Sequence, residues 1–110
     1  MSELVVVNRF RVADPDLARF RADVHVALAT LAVMPGYVAG QVARNLDEPE
    51  LWLLTTTWTN VGSYRRALSS YDVKLTAVPL LSQAIDEPSA YEVVGADEGG
   101  LNEAIPRQLD

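Results

Sequence analysis

The chain carries a single imidazole, His25, and a lone histidine invites reading as a general base or a metal ligand near neutral pH. It follows Val24 and lies one turn before Leu28, at the border of a stripe with helical spacing, where a partly exposed helix histidine is the expected use. No second histidine and no cysteine exist to complete a metal site of the usual kind, so none is expected. The lack of cysteine also removes disulfides and thiolate nucleophiles. What remains is amide, indole and phenol chemistry. Asn8 sits inside an apolar run, Trp58 closes another, and Tyr64 and Tyr71 flank a short helical stretch. On pattern alone, a strand asparagine bonds a neighbour, and a strand-end tryptophan or helix tyrosine packs in a core or an interface.

These residues have to be positioned by strands and helices that the hydrophobic pattern outlines. From Leu4 to Val12 the residues alternate, with Leu4, Val6, Asn8, Phe10 and Val12 on one face and Val5, Val7, Arg9 and Arg11 on the other. Asp14-Pro15-Asp16 reads as a helix start. Leu17, Phe20, Val24, Leu28 and Leu31 then form one buried helical stripe, which Met34-Pro35-Gly36 ends. Tyr37 to Asn45 is a second strand, with Val38, Gly40, Val42 and Arg44 on one side and Tyr37, Ala39, Gln41 and Ala43 on the other. Gly40 points to a bulge or a close approach. Leu46 to Glu50 is hairpin turn chemistry. In the third strand, Leu51 to Trp58, Trp52, Leu54, Thr56 and Trp58 share a face. Thr59-Asn60 caps a helix carrying Val61, Tyr64, Ala67 and Leu68. Leu75, Val78, Leu81 and Ile85 continue the helical spacing through Pro79, which divides or kinks it. Ser89 to Val94 is a short last strand.

Strand, helix, strand, strand, helix, strand is the order of an α+β, ferredoxin-like split βαβ fold, a four-stranded antiparallel sheet with helices on one face. Val5, Val7, Leu51 and Leu53 belong to the other face, and a sheet apolar on both sides needs a second cover. A second copy of the chain is the simplest one, giving a homodimeric α+β barrel. Arg9 and Arg11 would point toward that interface and imply an acidic partner across it. The domain is expected to span 1–94, followed by an acidic, Gly-containing tail over 95–110, in which Leu101, Ile105 and Leu109 recur every four residues. The tail is expected to be flexible.

Hydrophobic residues make up 49% and charged residues 22%, a globular balance. The net charge of −6, with nine scattered Lys and Arg, repels a phosphate backbone, so nucleic acid is not an expected partner. No apolar run approaches a membrane span or a signal-peptide core, and a cytoplasmic location is expected.

The opening VVVNRFRV, the central MPGYVAGQVARNLDEPELWLLTTTW, then SYRRALSSYDVKLTAVPLL and the closing PSAYEVV, in that order and spacing, resemble the antibiotic biosynthesis monooxygenase family over Leu4 to Val94. The resemblance implies a dimeric ferredoxin-like barrel. It implies that Asn8 and Trp58 stand where catalytic members place an asparagine and a tryptophan lining a pocket between sheet and helices. Such a pair would hold an aromatic or quinol-like substrate while the substrate's own enolate delivers electrons to O₂, with no cofactor. The amide would stabilise developing negative charge and the indole would pack on a ring and donate its N–H. Phe10, Tyr64 and Tyr71 would line the same pocket, with His25 at its rim. Two other readings stand beside this enzyme: a barrel that retains a small aromatic or apolar ligand without chemistry, and a dimer serving only as an interaction domain. A haem-degrading branch is disfavoured. It binds iron through a histidine on the helical segment after the third strand, where this chain has Val73 and Lys74.

Overall fold

Alternation of core and solvent-facing residues draws four segments into one antiparallel sheet: β1 (Leu4–Arg11), β2 (Tyr37–Arg44), β3 (Leu51–Trp58) and β4 (Ala90–Glu92). The computed structural model describes residues 2–96; the tail segment with Leu101, Ile105 and Leu109 lies outside them. The strand order is β2-β3-β1-β4, the ferredoxin-like arrangement that the element order predicts. The helices α1 (Leu17–Ala32), α2 (Val61–Ser69), α3 (Tyr71–Thr76) and α4 (Val78–Leu81) supply the second layer. Between them lies the core, with Val6, Phe10, Leu54 and Trp58 from the sheet and Val24, Ala27, Leu31, Val73 and Ala77 from the helices. Among the described residues, no helix is long and apolar enough to cross a membrane.

β1 lies against β3 with Asn8 opposite Leu54, Phe10 opposite Trp52 and Leu4 opposite Trp58. That register puts every even-numbered residue of both strands under the helices and leaves Val5, Val7, Leu51 and Leu53 half-buried on the open face. The β2–β3 hairpin closes at Asn45, whose side-chain oxygen accepts from the N–H groups of Asp47 and Glu48.

Three local expectations are corrected. The bulge in β2 falls between Tyr37 and Ala39, opposite Trp58 and Thr57, not at Gly40. The extra residue, Val38, lets Tyr37 join Gly40 and Val42 on the helix side. Gly40 is the close approach: a Cβ there would lie 2.7 Å from the Tyr37 hydroxyl and 2.8 Å from Leu28 Cδ1. The segment after α2 restarts at Ser70, whose hydroxyl accepts from the Val73 N–H. The restart resets the phase, so Val73, Ala77 and Leu80 are buried while Leu75 is 60% exposed. Lastly, the arginines of β1 find their anions within the chain. Arg9 makes a two-pronged bond to Glu87 at 2.7 and 2.8 Å, and Arg11 approaches Glu48 at 3.3 Å. The Arg9 hydrogen bond holds the Glu87 carboxyl below its ordinary range, so the pairing is complete above that range and is lost on acidification through the lowered value.

Candidate functional site

Two aromatic clusters occupy the helix side of the sheet, one toward each end of β3. At its far end, Trp58 is wholly buried, with Tyr37 edge-on at 5.6 Å and Tyr64 of α2 tilted at 5.6 Å. Gly36 turns the chain into this cluster with φ +91°, and Asn60 caps α2 by accepting from the Ser63 N–H. The Trp58 indole donates to the Thr56 hydroxyl at 2.9 Å. That N–H is therefore already bonded, and the residue meets its surroundings as a ring. Burial raises the Tyr64 phenol pKa, so this hydroxyl stays protonated at neutral pH and serves as a donor rather than a base.

At the near end, Phe20 of α1 lies 5.0 Å from Phe10 and 5.6 Å, edge-on, from Trp52. Beside Phe10 and Phe20 opens a cleft of about 210 Å³, which Arg11, Asp23, Leu80 and Gln83 complete. Asn8 lies between the two clusters. It is half-buried, faces the helices with Val6 and Phe10, and its amide has no hydrogen-bond partner among the described residues. Trp58 stands four residues beyond Leu54, the partner of Asn8, which at about 3.3 Å per residue is roughly 13 Å. Asn8 is half-buried and Trp58 has no exposed surface, so a ligand at the amide does not touch the indole in this structure.

Of the residues singled out from sequence, Asn8, Phe10, Trp58 and Tyr64 share the helix-covered side. The other two do not join them. Tyr71 is 75% exposed at the start of α3. His25 is exposed on α1, with Nδ1 2.8 Å from the Arg21 carbonyl oxygen. Tyr37 and Trp52 were missed as members of the two clusters. Trp52 was legible, since it shares its strand face with Trp58; Tyr37 was hidden by the bulge. Among the described residues, no group of three His, Cys, Asp or Glu side chains could hold a metal ion.

Residues 3–77 match the family model of antibiotic biosynthesis monooxygenases. Over 71 residues, 64% of the chain, the sequence is 31% identical to a 42.8 kDa protein of the whiE locus of Streptomyces coelicolor; the match spans only 18% of that relative's length. The fold superposes with a TM-score of 0.69 on SnoaB, a cofactor-independent oxygenase from Streptomyces nogalater, at 26% identity over 86% of this chain and 94% of that one. It reaches 0.73 with a Bacteroides thetaiotaomicron protein of unknown function, over 84% of this chain and 98% of that one, at 12% identity, a likeness of fold alone.

Proposed function

The chain belongs to the antibiotic biosynthesis monooxygenase family, and from that premise we propose that it is a cofactor-independent monooxygenase oxidising an aromatic or quinol-like molecule with O₂. The carrying observation is the unpartnered Asn8 amide, half-buried on the helix side between two aromatic clusters. The likeness to SnoaB supports the same reading.

In this reading the substrate ionises to an enolate, whose oxygen the Asn8 amide N–H stabilises. The ionised ring gives electrons to O₂, a carbon–oxygen bond forms, and the resulting hydroperoxide loses water to leave a carbonyl. One CH₂ and one O₂ become one C=O and one H₂O, so no external reductant is needed. Trp58, wholly buried, held by Thr56 and flanked by Tyr37 and Tyr64, acts from behind by fixing the aromatic packing at that end of the sheet.

The test is turnover of anthrone- and naphthol-type compounds under air and under argon. Product is expected only under air. Asn8→Ala should lower kcat/KM by roughly 10²–10³-fold, the loss typical of one oxyanion donor. Trp58→Phe keeps a ring but leaves the buried Thr56 hydroxyl without its donor, and should cost about tenfold. One observation favours a second reading, a barrel that only retains its ligand: the Trp58 N–H is already bonded to Thr56 and offers no donor to reacting atoms. Saturable binding with no turnover in air would install that reading instead.

Haem breakdown is expected to be absent. No histidine follows Trp58, and His25 is exposed on α1. In a haem titration followed by absorption, the Soret band should show no saturating one-to-one shift, and His25→Ala should behave like the parent protein. A stoichiometric shift with loss of chromophore on adding reductant would move haem degradation to first place.

The proposal includes a homodimer closed through the open sheet face, where Val5, Val7, Leu51 and Leu53 stay half-buried in the isolated chain.

A further inference from the structure

On the other side of the Phe10–Phe20–Trp52 wall lies a second cleft, of about 330 Å³, between the start of α1 and the ends of β2 and β3. Leu17 and Trp52 give it apolar walls, and Arg21, Arg44 and Asp14 give it charge. Three observations converge there. Trp52 is 94% buried, being only 6% exposed, and its Nε1 is a buried donor with no acceptor. The Arg44 guanidinium lies over the Trp52 ring, 5.3 Å from its centroid. And among the described residues the ion pairs are Arg9–Glu87 and Arg11–Glu48, so neither Arg21 nor Arg44 has a carboxylate partner.

We infer that this cleft is a binding site for a small aromatic carboxylate, separate from the Asn8 and Trp58 site. A guanidinium stacked on an indole keeps its in-plane N–H fork free, and that fork matches a carboxylate edge. Arg21 adds a second cation from α1, so two positive groups face the single negative charge of Asp14. In a chain of net charge −6, only such a local excess can hold an anion. Leu17 and the small exposed part of Trp52 give the cleft its apolar walls, which favours an aromatic acid over an inorganic anion. The neighbouring larger cleft, lined by Arg9, Leu51 and Leu53, lies partly on the open sheet face and would be covered in a dimer. That cleft also borders Trp52 and Arg44, whereas Leu17 and Arg21, on α1, complete the inferred site from the helix layer, away from the open face.

The chain has two tryptophans, so a ¹H–¹⁵N correlation spectrum shows two indole signals, which Trp52→Phe assigns. Titration with 1-naphthoate should shift the Trp52 signal saturably, and the neutral 1-naphthalenemethanol should not. Arg44→Gln should weaken binding roughly tenfold or more, the loss of about one charge-assisted pair, with Arg21→Gln acting in the same direction. Both arginines are exposed, so these variants fold. Acetate or inorganic phosphate shifting Trp52 with equal affinity would overturn the aromatic-acid assignment. A shift of the Trp58 signal alone would place the ligand at the Asn8 site and overturn the second site. Failure of oxygen-dependent turnover leaves this titration unaffected, so the two readings fail separately.

Discussion

Leu53→Lys should turn the proposed dimer into a folded monomer, read as a halved mass by light scattering at micromolar concentration with an unchanged far-UV spectrum. Leu53 faces away from the helices, opposite Arg9 on β1 and Ala43 on β2. In an isolated chain a lysine there reaches water and costs the fold little. In a face-to-face dimer the twofold axis supplies two copies, each desolvated beside an arginine, at an effective cost of several kcal/mol per ion. Leu53→Glu should dissociate the dimer as well, because the neighbouring Arg9 is already bonded to Glu87 and leaves the new carboxylate unpaired. A parent protein that is already monomeric would remove the barrel from this account.

Gly36→Ala should lower the thermal midpoint by roughly 15 °C, corresponding to about 3 kcal/mol for a domain of this size. Gly36 has φ +91°, and a Cβ there would lie 2.3 Å from the Cβ and Oγ of Ser63. Ser63 is buried in the first turn of α2 and bonded to Asn60, so relief requires moving the start of that helix. Gly62→Ala is the control. Its added Cβ would lie 3.2 Å from the flexible end of the Arg66 side chain and at ordinary contact distance, 3.4 Å, from Asn60 Oδ1, and the better helix former should stabilise by about 0.5–1 kcal/mol. Equal losses in both variants would show that helix composition, not the left-handed turn, sets the effect.

What the sequence made legible was the part of the fold written in local periodicity. Leu51–Trp58 alternates without interruption, and its bounds, faces and partners follow from that. The missing parts are those that depend on one residue more or less. Val38 looks like any other strand valine, yet as the inserted residue it turns Tyr37 toward Trp58. Ser70 gives no breaking signal as strong as Pro79, yet it starts a new helix and exposes Leu75 in favour of Val73. Glu87 lies 78 residues from Arg9, and no pattern in a single sequence couples such a pair. For the site, strand parity placed Asn8, Phe10 and Trp58 on one side. It did not show that the Trp58 N–H faces an acceptor two residues back along its own strand, because that depends on a side-chain rotamer.

The register that sets Leu4 opposite Trp58 also bears on the order of assembly. The β2–β3 hairpin closes a short loop and costs little chain entropy, whereas β1 must find β3 across α1 and β2, and loop closure grows costlier with length. Trp58 and Tyr37 can therefore meet early, within the hairpin, while Asn8 arrives with β1. The amide and the ring come to share a face only when this late, long-range pairing is made, so amide exchange protection along β1 should build up more slowly during refolding than protection in the hairpin.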